Sequence, residues 1–187
     1  MIITISATPG AGKHDVARSV AERLGFRYVS MTDVRRRLAR DRDVTEEELV
    51  AGGENEFWTD REVDEHLEEI AASFENMVVA SRFGFTLIPH SFKVFLSCDP
   101  LIAAQRLRSS GEERYGVSFD EVVESIRSRI SSDRERGLSF YRIDPHDPSH
   151  FDLVLDISRL NREQTVDVLT SSIGRLRNSW SLEPERI

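Results

Sequence analysis

The sequence predicts an α/β domain in which a parallel sheet is covered by helices on both faces. Three observations carry that expectation. Short β-branched apolar runs recur along the chain, longer amphipathic stretches separate them, and the first run ends in a glycine-rich turn that opens directly into helical periodicity. At 187 residues the chain has room for one such three-layer domain and not for two, so a single domain over 1–187 is expected.

The first strand is predicted over 2–6. Ala7-Thr8-Pro9-Gly10-Ala11-Gly12 then forms a turn that cannot continue a strand. From Lys13 onward Val16, Ala17, Val20, Ala21 and Leu24 recur at helical spacing, with Gly25 placed as a C-terminal cap. Further strands are predicted over 26–29, 77–80, 92–97 and 151–156. The polar segment between 32 and 76 holds predicted helices at 34–42 and 60–74, divided by Gly52-Gly53. A second insertion, about 109–147, is arginine-rich and contains an amphipathic stretch over 119–136 with Val122, Val123, Ile126 and Ile130 on one side. It reads as a mobile helical flap. The residues after 178 read as a frayed polar tail.

Composition narrows the function. The chain is 39% hydrophobic and 31% charged, and no run approaches the roughly 20 apolar residues of a membrane span. It opens directly on strand-forming residues, without the basic and apolar regions of a secretory signal, so a cytoplasmic protein is expected. The single cysteine, Cys98, follows an apolar run and reads as a buried thiol. A net charge of −8 argues against a nucleic acid polymer as partner, so any phosphate site has to be local.

Residues Thr8, Gly10, Ala11, Gly12, Lys13, His14 and Asp15 form the candidate nucleotide-binding loop. The glycines let successive backbone N–H groups turn toward phosphate oxygens, the helix start adds its positive end, and Lys13 is spaced to reach the β and γ phosphates. Two positions depart from the phosphate-loop pattern. Ala7 replaces a glycine, and His14 stands where a Ser or Thr hydroxyl would contact magnesium. His66, His90, His146 and His150 show no metal-ligand spacing and read as surface or loop residues, so no protein-bound metal is assigned.

With that loop in place the chain resembles the short archaeal cytidylate kinases, a branch of the nucleoside monophosphate kinases, over nearly its whole length. Gly25-Phe26-Arg27-Tyr28-Val29-Ser30 and Asp33-Val34-Arg35-Arg36 are similar to the family's second strand and arginine helix. Asp60-Arg61-Glu62-Val63-Asp64 is similar to a stretch on its acceptor-binding helices. Asn76-Met77-Val78-Val79 is similar to its third strand, with Arg82 beyond it. Ile126, Arg129, Asp133, Arg134 and Arg136 match the spacing along its lid helix, and Tyr141 to Asp144 and Phe151 to Ser158 resemble its closing segment. In the family the residues before Arg82 usually read glutamate and glycine, so Ala80 and Ser81 are departures.

The resemblance implies a three-layer α/β/α P-loop kinase fold with a five-stranded parallel sheet, an acceptor-binding insertion about 32–76 and a lid about 109–147. It implies an ATP-dependent phosphotransferase acting on CMP, dCMP or a similar small acceptor. Lys13, Arg129, Arg134 and Arg136 would be catalytic, and Arg36, Arg82 and Asp133 would bind substrate. ATP is the implied donor. With His14 and Ala80 in place of two of its supports, Mg²⁺ would be held mainly through phosphates and water. Two alternatives stay open: a catalytically impaired nucleotide-binding relative that serves as a sensor, and a kinase for another small acceptor. The sequence names no protein partner.

Overall fold

The structure, a computed structural model, describes residues 1–45, 58–109 and 118–180. The Gly52-Gly53 divider, part of the arginine-rich insertion and most of the polar tail lie outside these residues. Strand β1 (Ile2–Ala7) leads through the glycine turn into α1 (Lys13–Leu24), followed by β2 (Arg27–Ser30), α2 (Met31–Asp41), α3 (Trp58–Ser73) and β3 (Met77–Ala80). A short α4 (Gly84–Leu87), then β4 (Phe92–Ser97), α5 (Pro100–Ser109), α6 (Phe119–Phe140), β5 (Leu153–Asp156) and α7 (Arg162–Trp180) complete the chain.

The five strands form one wholly parallel sheet, as expected, and its order is β2-β3-β1-β4-β5. All of β1 is buried. Its alternation separates two cores. Ile3 and Ile5 point with Val78, Val94 and Leu96 into a layer made by α1, α6 and α7, while Ile2 packs with Val29, Val79, Val34, Leu67 and Ile88 on the opposite face. Two inward polar residues of β1 find partners: Thr4 Oγ1 lies 3.0 Å from Ser91 Oγ, and Ser6 Oγ donates to the Ser81 carbonyl at 2.8 Å. Connections from β1 run first to β2 and β3, then to β4 and β5. The carboxyl end of β1 therefore lies where the strand order reverses, the position at which open α/β sheets form a crevice.

Helix boundaries follow local chemistry. Helix α2 begins at Met31, three residues before the predicted start, because Ser30 and Asp33 form a capping box: the Ser30 hydroxyl accepts from the Asp33 N–H at 3.2 Å and Asp33 accepts from the Ser30 N–H at 3.1 Å. Strand β5 begins at Leu153 and not at Phe151, whose ring packs 5.0 Å from Phe95 and 4.6 Å from Phe85. Helices α5 and α7 were not foreseen, although Val166, Leu169 and Ile173 carry the i, i+3, i+7 signal. Cys98 is buried, as expected. Among the described residues no helix is long and apolar enough to cross a membrane.

One expectation needs correction. The stretch from 119 is not a flap held off the body, because Val122, Val123 and Ile126 belong to the main core alongside α1 and α7. Ile126 is 0% exposed. Truncation by Ile126→Ala should therefore cost about 2–5 kcal/mol in urea denaturation. A helix standing clear of the core would lose less than about 0.5 kcal/mol at such a site.

Candidate active site

The loop after β1 is tied to the neighbouring strand before it turns. Thr8 donates its N–H to the Leu96 carbonyl at 3.0 Å, and its hydroxyl accepts from the Cys98 N–H at 3.3 Å. Thr8 lines the site, but its side chain is engaged in anchoring the loop. Gly10 then adopts φ +81°, and a Cβ there would lie 2.9 Å from Leu107 Cδ1 and 3.1 Å from Ala103 Cβ. Both the backbone angle and the approach of α5 require glycine. Gly12, also left-handed, caps α1, so that Lys13, His14 and Asp15 sit at its positive end.

This loop forms one wall of a cleft of about 650 Å³. Met31, Thr32 and Arg35 of α2 and Val63 and Asp64 of α3 line a second side. Ala80, Ser81, Arg82 and Phe83 follow β3, and Arg129, Asp133 and Arg136 of α6 close it with Tyr141. In a chain of net charge −8, Lys13, Arg35, Arg82, Arg129 and Arg136 share this space with the carboxylates Asp15, Asp64 and Asp133.

Most of the predicted residues meet here: Gly10, Ala11, Gly12, Lys13, His14, Asp15, Arg82, Arg129, Asp133 and Arg136 all line the cleft. Two do not. The Arg36 side chain is 57% exposed and lies 4.0 Å from Asp33, whereas Arg35, one residue earlier, shares the cleft face with Met31 and Thr32. Arg134 is exposed and donates from Nε to Asp144 at 3.1 Å. It lies about 100° around the helix from Asp133, while Arg129, Asp133 and Arg136 at i, i+4 and i+7 share one side.

The electrostatics follow from crowding. Withdrawal from water first, then Arg82 and Arg129, pull Lys13 down to about 8, with Asp133 opposing them. Burial and then Arg82 and Arg136 lower Arg35, which keeps its charge. Asp133 is only 3% exposed and accepts from Arg82. Burial pushes its carboxyl up, but His146 and Arg82 outweigh that and hold it below its ordinary value. Sequence reasoning assigned no site role to Asp64 and Tyr141. Tyr141 donates to Asp64 Oδ2 at 2.5 Å, joining the end of α6 to α3, and burial raises both groups. Arg35 stood in the sequence beside Arg36 in the arginine helix, with no local signal to say which of the two faces the cleft.

The residues present do not build a magnesium site of their own. The His14 ring bonds the Tyr28 hydroxyl at 3.1 Å, and burial and Lys13 lower its pKa, leaving a neutral imidazole where a hard cation would want oxygen. Asp133 and Asp64 are committed to Arg82 and Tyr141. Among the described residues no group of three or more His, Cys, Asp or Glu is placed to hold a metal. Of the histidines read as surface residues, His146 departs: its side chain is 10% exposed, beside Asp133.

A glycine loop at the sheet's reversal point, opening a helix and facing a cationic cleft, defines a kinase of the three-layer phosphate-loop class. More particularly, the chain belongs to the cytidylate kinase-like family, whose model matches residues 2–159. It is similar to cytidylate kinases of Methanocella arvoryzae, 29% identical over 96% of this chain and 100% of that one, and of Natronomonas pharaonis, 33% identical over 93% and 90%. In structure it is similar to an uncharacterized protein from Eubacterium ventriosum (TM-score 0.70, 16% identity, 93% of this chain and 98% of that one). It is also similar to a shikimate kinase from Bacteroides thetaiotaomicron (TM-score 0.64, 19% identity, 93% and 98%). At those identities the structures speak to the fold.

A phosphate arriving beside Lys13 restores its proton affinity, so binding above the value of about 8 takes up a proton. ATP affinity should be flat below about pH 8 and fall by up to about tenfold per pH unit above it. Calorimetry in buffers of different ionisation enthalpy reads both. Affinity unchanged up to about pH 10 would show either that Lys13 is still protonated there before ligand binds or that it makes no phosphate contact, and Lys13→Ala, which weakens ATP binding only in the first case, separates the two.

Proposed function

We propose that this chain transfers the γ-phosphoryl group of ATP to a nucleoside monophosphate, with CMP or dCMP as acceptor. The observation that carries the reading is the arrangement of the cations. Lys13 interacts electrostatically with Arg82 and Arg129 on the loop side, and Arg35 of α2 interacts with Arg82 and with Arg136 of α6, so Arg82 is common to both groups. Two anionic ligands meeting at Arg82 suit that arrangement, and a neutral acceptor does not need it. The acceptor therefore carries its own phosphate.

In this reading the loop amides and Lys13 hold the donor phosphates, while Arg35 and Arg82 clamp the acceptor phosphate. Arg129 and Arg136 neutralise charge spreading over the equatorial oxygens of the transferring group. An acceptor phosphate oxygen attacks the γ-phosphorus in line as the bond to the β-phosphate bridging oxygen breaks, releasing ADP. The attacking oxygen is already anionic, so no side chain has to remove a proton. Magnesium would accompany the nucleotide's phosphates, and this chain's residues neither ligate it nor route a step through it. Asp64 accepts from Tyr141 at Oδ2, and its other oxygen offers a hydrogen-bond acceptor on the acceptor side, which suits an exocyclic amine such as that of cytosine and not the oxygen of uracil. The lone buried thiol supports work in a reducing cytoplasm.

A coupled ADP-release assay with ATP, magnesium and a panel of monophosphates tests this. Turnover with CMP or dCMP should fall by about a hundredfold or more in Lys13→Ala. Arg35→Ala should raise the acceptor KM at least about tenfold, with Arg36→Ala within about threefold of wild type. His14→Thr should lower the magnesium concentration needed for half-maximal rate. Calorimetric ATP binding without turnover on any monophosphate would leave a nucleotide-binding protein of another kind.

A further inference from the structure

The Arg82–Asp133 pair has a third member. His146 lies in the segment that returns from α6 to β5, with Nε2 3.8 Å from Asp133 Oδ2. The ring is nine-tenths buried, and among the described residues that nitrogen, out of reach of solvent, has no partner at hydrogen-bonding distance, Asp133 being its nearest counter-charge. Its edge rests on Phe95, with centroids 5.8 Å apart and planes at 89°. An unpaired buried nitrogen is costly. The economical account is that the nitrogen serves the carboxylate it faces.

The segment is built to hold the ring there. Gly137 has no room for a side chain, since a Cβ would lie 2.6 Å from the Ile143 carbonyl oxygen and 2.7 Å from Pro145 Cδ. The chain after α6 therefore packs flat on the helix. Ile143 donates to the Gly137 carbonyl at 3.2 Å, and the His146 N–H donates to Asp144 Oδ1 at 2.8 Å. Asp144 in turn holds Arg134 through its other oxygen. Arg134, matched to the lid pattern but turned from the cleft, thus braces the segment that carries His146.

We propose that His146 is a positioning residue: an N–H at Nε2 holds Asp133 Oδ2, so that Oδ1 stays aimed at Arg82 as anionic substrates draw that guanidinium into the cleft. The inference rests on the kinase reading for its effect on rate, and on geometry alone for its effect on the pair. A movement of under about one ångström brings the ring to hydrogen-bonding distance, and such contacts commonly tighten when substrate binds.

A double-mutant cycle decides it. His146→Phe keeps a planar ring, somewhat larger than imidazole, without an N–H and should lower kcat roughly tenfold while leaving the ATP KM within about twofold, and His146→Gln, which restores an N–H, should recover part of the loss. Made in an Asp133→Asn background, or in Arg82→Gln should that variant not fold, His146→Phe should cause no further loss. Equal losses in both backgrounds, or a glutamine no better than phenylalanine, would assign His146 to packing and overturn the proposal. Were the wild type to show no turnover, the kinase reading would fail separately, and the same cycle read on urea midpoints would still decide. A midpoint drop that is present with Asp133 and absent in the Asp133→Asn background upholds the pair, and additive drops overturn it.

Discussion

Five cationic side chains around one cleft repel one another until an anion enters, and the buried carboxylate of Asp133 is what makes the empty arrangement tolerable. It binds Arg82, raises the proton affinity that the neighbouring arginines take from Lys13, and is itself kept ionised by Arg82 and His146. Asp64 and Tyr141 form the second point of compensation, beside Arg35. The site is thus a set of like charges offset by the buried Asp133 and the half-buried Asp64.

Holding those charges requires firm backbone on every side. The glycine loop is fastened to β4 through Thr8, and α5 packs closely enough on Gly10 to leave no room for a side chain there. Helix α6 supplies three cleft residues and is rooted in the core through Val122, Val123 and Ile126. One helix therefore joins the hydrophobic core to the phosphate chemistry, and the arginines it presents are fixed in register by the same periodicity that buries its other side. The family's lid pattern is carried here on a helix that is part of the body.

The departures from the phosphate-loop pattern acquire a consistent physical meaning. His14 is bonded to Tyr28 and Ala80 leaves no acid at the end of β3, so the protein has given up direct help to a cation at two adjacent points. The arginine set is retained beside them. Charge neutralisation by guanidinium groups, rather than metal ligation by side chains, is the part of phosphoryl transfer that this cleft is equipped to perform.

The strand positions and the phosphate loop were legible in the sequence because they rest on short-range signals: short β-branched apolar runs, a glycine turn, and the onset of helical spacing at Lys13; the order β2-β3-β1-β4-β5 came only from the structure. The i, i+4, i+7 spacing of Arg129, Asp133 and Arg136 was equally local. Sequence alone pointed to the wrong one of two adjacent arginines, Arg36 where Arg35 enters the cleft, since the two differ only by the rotation of α2 about its axis, and that rotation is set by Val34 and Leu38 packing under the sheet. Arg134 turned outward for the same reason, Asp64 and Tyr141 met across 77 residues, and His146 came to rest against Asp133 through a close approach at Gly137. Local periodicity determines which side of each helix is polar; only the packing of those helices on the sheet decides which polar residues face each other.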